Sequence, residues 1–305
     1  RLGVTSFDSV GLIPAVIRSV QDMKAAVRFF YKDKATGTNA YKIETNNIFI
    51  GGSSAGAFTA LHYQYLDREC EILPYIRQSN LNAMGGLDGN SGNPGYSTKV
   101  NGVIDLCGAL GVYGWFEAGN MPLCSMHGTA DATVPYNRGQ PQGVMWADGS
   151  RMIYQQALAV GVQDNFYTFE NSPHVPYAGV TATSIAYMDI TVIIVHDYLF
   201  QRLNITCTPS QLANGPSQVA TLYPYTPCVA SGIKSVNANL VQEVYPNQSE
   251  NEIKVVFANN DMHSVQITDL SGRIVKSAIT TQGIYTLEKS NLNAGVYFLK
   301  VSNNK

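Results

Sequence analysis

Residues 50–57 read Ile-Gly-Gly-Ser-Ser-Ala-Gly-Ala, two serines among glycine and alanine directly after an apolar run. The run Asn-Ile-Phe-Ile-Gly-Gly at 47–52 reads as a short buried strand, and 55–67 as a helix. To pass from strand to helix across Gly52-Ser53-Ser54-Ala55-Gly56, the chain must turn so tightly that positions 52 and 56 approach each other, and glycine is what fits there. Such a turn puts the Ser54 hydroxyl at a helix N-terminus, where free N–H groups and the helix dipole favour developing negative charge. A Gly-x-Ser-x-Gly turn between a strand and a helix is the arrangement that presents a nucleophilic serine, with the N–H of Ala55 as one donor to an oxyanion. Ser53 is the rival hydroxyl, without the flanking glycine pattern.

The rest of the chain supports that placement. Ile13, Ile17, Val20, Met23, Val27 and Phe30 fall at helical spacing across 13–30, with Pro14 suited to a helix start. Residues 85–98 are turn chemistry throughout. Strand-like runs follow at 101–107, 122–128 and 165–170, with helices over 151–160 and about 181–203. Strands alternating with helices predict a mostly parallel sheet covered on both faces. Character changes near 205. Residues 207–240 lack periodicity, and five short strand-like runs then succeed one another without a helix, which predicts a small all-β sandwich. The expected organisation is a catalytic α/β domain over 1–206, a connector over 207–240 and a β-sandwich over 241–305.

An activated serine needs a base and a group that orients the base. In a parallel α/β sheet these stand in loops at the C-terminal ends of later strands. After the strand at 122–126 comes His127-Gly128-Thr129-Ala130-Asp131, and after the strand at 165–170 comes Asn171-Ser172-Pro173-His174. Asp131 is placed to accept a hydrogen bond from an imidazole and His174 to act as general base and then acid. His127, before a glycine at a strand end, reads as a structural hydrogen-bonding residue, and Asp105 is a weaker rival acid. Tyr113, Trp115, Phe116, Tyr136 and Tyr177 lie in loops at strand ends. Of these, Trp115, Tyr136 and Tyr177 are the candidate pocket residues.

Charged residues make up 14% of the chain and the net charge is −2. Without a basic stripe, nucleic acid is not an expected partner. Apolar runs stay short of a membrane span: residues 185–200 come nearest, broken by Asp189, His196 and Asp197, and read as a buried helix. Among five cysteines, Cys207 and Cys228 flank the connector and are the candidate disulfide, while Cys107 and Cys124 lie in apolar runs and read as buried thiols. No cysteine pair has zinc-site spacing, so no metal is expected.

The stretch His-Gly-Thr-Ala-Asp-Ala-Thr-Val-Pro-Tyr at 127–136 resembles the acid loop of α/β-hydrolases, especially feruloyl esterases and polyhydroxybutyrate depolymerases. Residues 18–57 are similar to the pattern of carboxylesterases and hormone-sensitive-lipase-like proteins, in which a helix precedes the elbow strand. Across 1–203 the resemblance implies an α/β-hydrolase fold and a secreted serine esterase without cofactor. It carries the nucleophile onto Ser54, the acid onto Asp131 and the base onto His174. Members of that group bear an upstream His-Gly-Gly motif that supplies further oxyanion donors. No such motif precedes residue 51, so the first strands and half the oxyanion hole are expected to be missing and the chain alone poorly active.

Tyr245-Pro246-Asn247, residues 265–275 and residues 292–301 resemble the C-terminal sorting domain of type IX secretion in Bacteroidetes, with Gln248 where a second proline is more usual. That resemblance implies the type IX machinery as a partner, and a location outside the outer membrane, released or surface-attached. The expected substrate is a carboxylic ester, plant polysaccharide esters among the candidates. A serine peptidase of the same fold and an inert surface-binding protein on a hydrolase scaffold are the other two readings.

Overall fold

The computed structural model describes residues 9–37, 39–72, 84–216, 220–228, 240–247, 252–269, 273–289, 292 and 297–303. The chain divides into two units, 1–230 and 231–305. The opening residues 1–8, Gln248 and parts of the sorting-domain motifs at 270–272 and 293–296 lie outside the described residues.

The first unit is built on four parallel strands: β1 (Ile50–Ser53), β2 (Val103–Leu106), β4 (Leu123–Gly128) and β7 (Asp164–Phe169), side by side in the order β1-β2-β4-β7. Among the described residues, four helices flank them: α1 (Ser9–Ala35), α2 (Ala55–Tyr65), α3 (Ser150–Ala159) and α4 (Ala182–Arg202). Alternation along the strands explains the two-sided cover. Val103 and Leu123 point into a core with Val20 of α1, Leu61 of α2 and Ile153 of α3. Their neighbours Ile104 and Cys124 point the other way, among Met126, Phe169 and the α4 residues Ile194 and Tyr198. β4, buried at every position, is accordingly apolar or small except at His127, its next-to-last residue. A small antiparallel sheet of β3 (Ala109–Leu110), β6 (Ala147–Gly149) and β5 (Arg138–Gly139) was not visible in the sequence pattern.

Three expectations are corrected. Helix α1 begins before Pro14, which sits inside it rather than at its start. Helix α4 is buried on one face only: Ile185, Met188 and Val192, one side of the helix by spacing, are exposed. Its length and mean hydropathy of 1.2 would suffice to cross a membrane, but Ile194 and Tyr198 pack it on the sheet.

The third correction is the disulfide. Cys228 is bonded to Cys70, with Cα atoms 6.0 Å apart, and Cys207 is a free thiol. The connector does not close on itself; it returns across the first unit. Ala220 is buried against Tyr113 and Met152. The Tyr113 hydroxyl donates to the Tyr223 carbonyl, and the Tyr223 hydroxyl donates to the buried Asp148 carboxylate. The Arg138 guanidinium lies 4.0 Å over the Tyr223 ring. This path delivers Cys228 to the short turn Glu69–Glu71, where Cys70 waits.

In the second unit, β8 (Val241–Asn247), β9 (Glu252–Phe257) and β12 (Ile284–Glu288) form one antiparallel sheet. A second is formed by β10 (His263–Asp269), β11 (Ile274–Thr280) and β13 (Tyr297–Asn303). Val255 and Phe257 from the first meet Val265 and Val301 from the second, which makes the sandwich core.

Candidate active site

The loops that follow β1, β4 and β7 meet at the C-terminal edge of the parallel sheet. Ser54, between β1 and α2, has φ +54° and ψ −117°, a conformation that L-residues avoid and that marks a turn held by its surroundings. Its own N–H donates to the Leu106 carbonyl and its carbonyl accepts from Phe58, the first bond of α2. The N–H groups of Ala55, Gly56 and Ala57 therefore stand at the free N-terminus of the helix. Gly52 is indispensable to the turn: a Cβ there would lie 2.5 Å from the carbonyl carbon of Gly56 and 2.7 Å from its Cα. The converse does not hold, since a Cβ on Gly56 would meet nothing within 4 Å. The sequence pattern suggested equal demands on both glycines; the close approach is directed from one side.

The three residues singled out as nucleophile, base and acid lie in one hydrogen-bonded row. Ser54 Oγ is 2.8 Å from His174 Nε2, and His174 Nδ1 is 2.6 Å from Asp131 Oδ2. The other oxygen of Asp131 accepts the N–H groups of Thr133 (2.8 Å) and Val134 (2.9 Å). Burial by itself would raise the Asp131 pKa. The hydrogen bonds from His127, His174, Val134 and Thr133 outweigh it and hold the carboxyl at about 2. The loop of the acid and the loop of the base are pressed together at Gly128, where a Cβ would lie 2.4 Å from the Ser172 carbonyl oxygen.

A set of contacts beside the row pins the His174 loop. Cys107, at φ +58°, ends β2, and Val175, at φ +46°, follows His174. A β-branched residue in that region is held against its preference. Val175 and Tyr177 pack with Cys107 in one buried cluster, and the Tyr177 hydroxyl lies 2.6 Å from Ser53 Oγ. Ser53, the rival hydroxyl, is thus engaged with Tyr177 rather than with an imidazole. Among the described residues, Tyr177 is the candidate pocket residue that is hydrogen-bonded to the serine turn. Tyr136 is buried, its ring edge-on to His127 and its hydroxyl on Thr168. Trp115 is half-buried, edge-on to His62.

Behind Asp131 stands a polar row that the sequence only hinted at. His127 Nε2 is 3.2 Å from Asp131 Oδ2 and 3.1 Å from the Val134 carbonyl, and its Nδ1 is 2.7 Å from Ser150 Oγ. Ser150 Oγ is in turn 2.6 Å from Asp105 Oδ2. All four side chains are buried. Ser150, at the start of α3, carried no sequence signal, because nothing in its neighbourhood says that it faces a strand end.

Among the described residues, Cys107, Asp131 and His174 place one donor atom each within 4.8 Å of one another, as a metal site would. It fits a metal poorly. Burial pushes the Cys107 thiol up to about 12, and Asp131 and His174 are engaged with each other at hydrogen-bond distance. A cavity of about 750 Å³ lies elsewhere in the first unit, by Asn46, Asn101 and Met121, which precede β1, β2 and β4 at the opposite edge of the sheet.

Taken together, the first unit is a parallel α/β domain with a Ser–His–Asp row at its strand ends, and the second an antiparallel sandwich. Residues 243–305 match the secretion system C-terminal sorting domain. The chain therefore carries a signal for type IX secretion, with export or cell-surface attachment. Among solved structures, the chain is similar to Thermogutta terrifontis esterase 2 phosphorylated by paraoxon, at 18% identity and a TM-score of 0.44 over 63% of this chain and 66% of that one. The apo form of the same esterase matches with the same identity and score over 63% and 68%. Its native form matches at 17% identity and a TM-score of 0.43 over 67% and 68%. The chain thus spans about two thirds of the length of these esterases. No curated protein sequence matches it.

Proposed function

We propose that the protein is a secreted serine hydrolase that cleaves carboxylic esters through an acyl-enzyme. The observation that carries this reading is the unbroken row Ser54–His174–Asp131, at 2.8 and 2.6 Å, on a serine seated at the N-terminus of α2. Asp131, ionised at neutral pH, takes the Nδ1 proton of His174 into a hydrogen bond and leaves Nε2 free to accept the Ser54 proton. Ser54 Oγ then bonds the ester carbonyl carbon, and the carbonyl oxygen gains the negative charge. The Ala55 N–H is the oxyanion donor from α2; removal of one such donor typically costs ~10²–10³ in turnover. The imidazolium returns its proton to the departing alcohol, and a water repeats the sequence to release the acid and Ser54. Tyr177 and Cys107 keep the His174 loop against the serine turn throughout.

The test is labelling with a fluorophosphonate, together with turnover of p-nitrophenyl acetate and butyrate by the full chain. Labelling and turnover are expected and should vanish in Ser54→Ala while persisting in Ser53→Ala. An unlabelled, folded wild type would overturn the reading.

A further inference from the structure

The polar row behind Asp131 obeys a proton count. His127 Nε2 faces two acceptors, the Val134 carbonyl and Asp131 Oδ2, neither of which has a hydrogen to offer. The ring therefore carries its hydrogen on Nε2. If the ring is neutral, Nδ1 accepts, so the Ser150 hydroxyl donates to it. A hydroxyl has one hydrogen. The 2.6 Å contact between Ser150 Oγ and Asp105 Oδ2 then needs its hydrogen from Asp105, a protonated carboxylic acid. Its other oxygen, Oδ1, accepts the Gly108 N–H at 2.8 Å and needs no proton. The alternative, an imidazolium between the Asp131 and Asp105 carboxylates with Ser150 donating to Asp105, puts three charges rather than one into the same buried row.

The surroundings favour the neutral form. Burial raises the Asp105 carboxyl above its ordinary range, against the Gly108 N–H that Oδ1 accepts. Asp164, a second buried carboxyl, is also pushed up by burial and accepts a hydrogen bond from Ser125. The Tyr136 ring, edge-on, faces His127 on its remaining side.

We propose that His127 is a positioning residue for the acid of the site: its ring, hydrogen-bonded at Nε2 to the Val134 carbonyl, also turns that N–H toward Asp131 Oδ2, 3.2 Å away, from behind, in a direction fixed by the protonated Asp105 acting through Ser150. Asp131 is thereby held between two imidazoles, one that moves protons and one that does not. This rests on the Ser54–His174–Asp131 reading of the site.

Two substitutions of similar volume separate the proposal from mere packing. In His127→Gln the amide nitrogen reaches the place of Nε2 and keeps the donor to Asp131. In His127→Asn the side-chain oxygen reaches the place of Nδ1 and keeps only the bond from Ser150. The Gln variant is expected within about threefold of wild-type kcat, and the Asn variant to lose roughly tenfold or more with KM unchanged. Equal losses in the two would overturn the positioning role. Two readouts do not depend on hydrolysis. At neutral pH, Asp105→Asn should remove an infrared carbonyl band of a protonated carboxylic acid; a carboxylate band lost instead would overturn the neutral assignment. The low-field proton resonance of the His174–Asp131 hydrogen bond should survive in the Gln variant and shift or vanish in the Asn variant; identical spectra would overturn the role. If the wild type neither hydrolyses nor takes the label, the esterase reading fails, and these two spectra still decide the proton row.

Discussion

Two glycines of one pentapeptide are expected to respond to alanine with opposite signs. At Gly52 an added Cβ would meet three backbone atoms of Gly56 at 2.5, 2.7 and 2.9 Å. No side chain is there to rotate away, so β1 or the start of α2 must shift. Overpacking of this kind costs ~1–3 kcal/mol, and a backbone-only clash belongs near 3. At Gly56 the added Cβ meets nothing within 4 Å, and the residue lies in the first turn of α2. Alanine there gains helix propensity, about 0.5 kcal/mol at such an end position. The assay is urea unfolding followed by tryptophan fluorescence. Both tryptophans, Trp115 and Trp146, are in the first unit, so the signal reports that unit alone. With a slope near 2 kcal/mol per molar, Gly52→Ala should lower the midpoint by about 1.5 M and Gly56→Ala raise it by about 0.2 M. Gly52→Ala should also lose fluorophosphonate labelling, because Ser54 rides on the displaced turn. Equal destabilisation by the two substitutions would refute the one-sided approach.

Peptide mapping without reductant should recover a Cys70–Cys228 linked pair, and Cys228→Ser should cost about 3–5 kcal/mol, near the upper end for a cross-link that spans 158 residues, with Cys207→Ser neutral. The Asp131 carboxyl is depressed to about 2 from an unfolded value near 3.9. Its contribution to stability, about 2–3 kcal/mol, is therefore whole above about pH 5 and is lost progressively as pH falls through 4 to 2 and below. Acid titration of unfolding free energy checks this, and Asp131→Asn should flatten that window.

Much of the first unit was legible because its strands and helices carry the periods of buried α/β layers. The runs at 122–128 and 165–170 became β4 and β7 within a residue. Ser54, Asp131 and His174 were readable because each lies in the loop that follows such a strand, and strand ends on one edge of a parallel sheet are neighbours in space. What was not legible depends on tertiary approach. Ser150 opens a helix and gives no sign that it faces Asp105. Tyr136 sits in a loop by sequence, yet its ring is buried against His127. Cys228 looked local to Cys207 because sequence distance was the available measure, while its partner was fixed by the course of the connector.

That course has a consequence for how the protein must mature. In an unfolded chain, contact probability falls as about the three-halves power of separation. Cys207 is 21 positions from Cys228, against 158 for Cys70, so random collision favours the wrong pair roughly twenty-fold. The native cross-link is therefore a late event: the sheet must form and the connector must dock through Tyr113 and Tyr223 before oxidation, or an exchange of partners must follow it. An oxidant met too early would trap a covalent misfold, whereas one met only outside the cytoplasm would seal a domain already assembled.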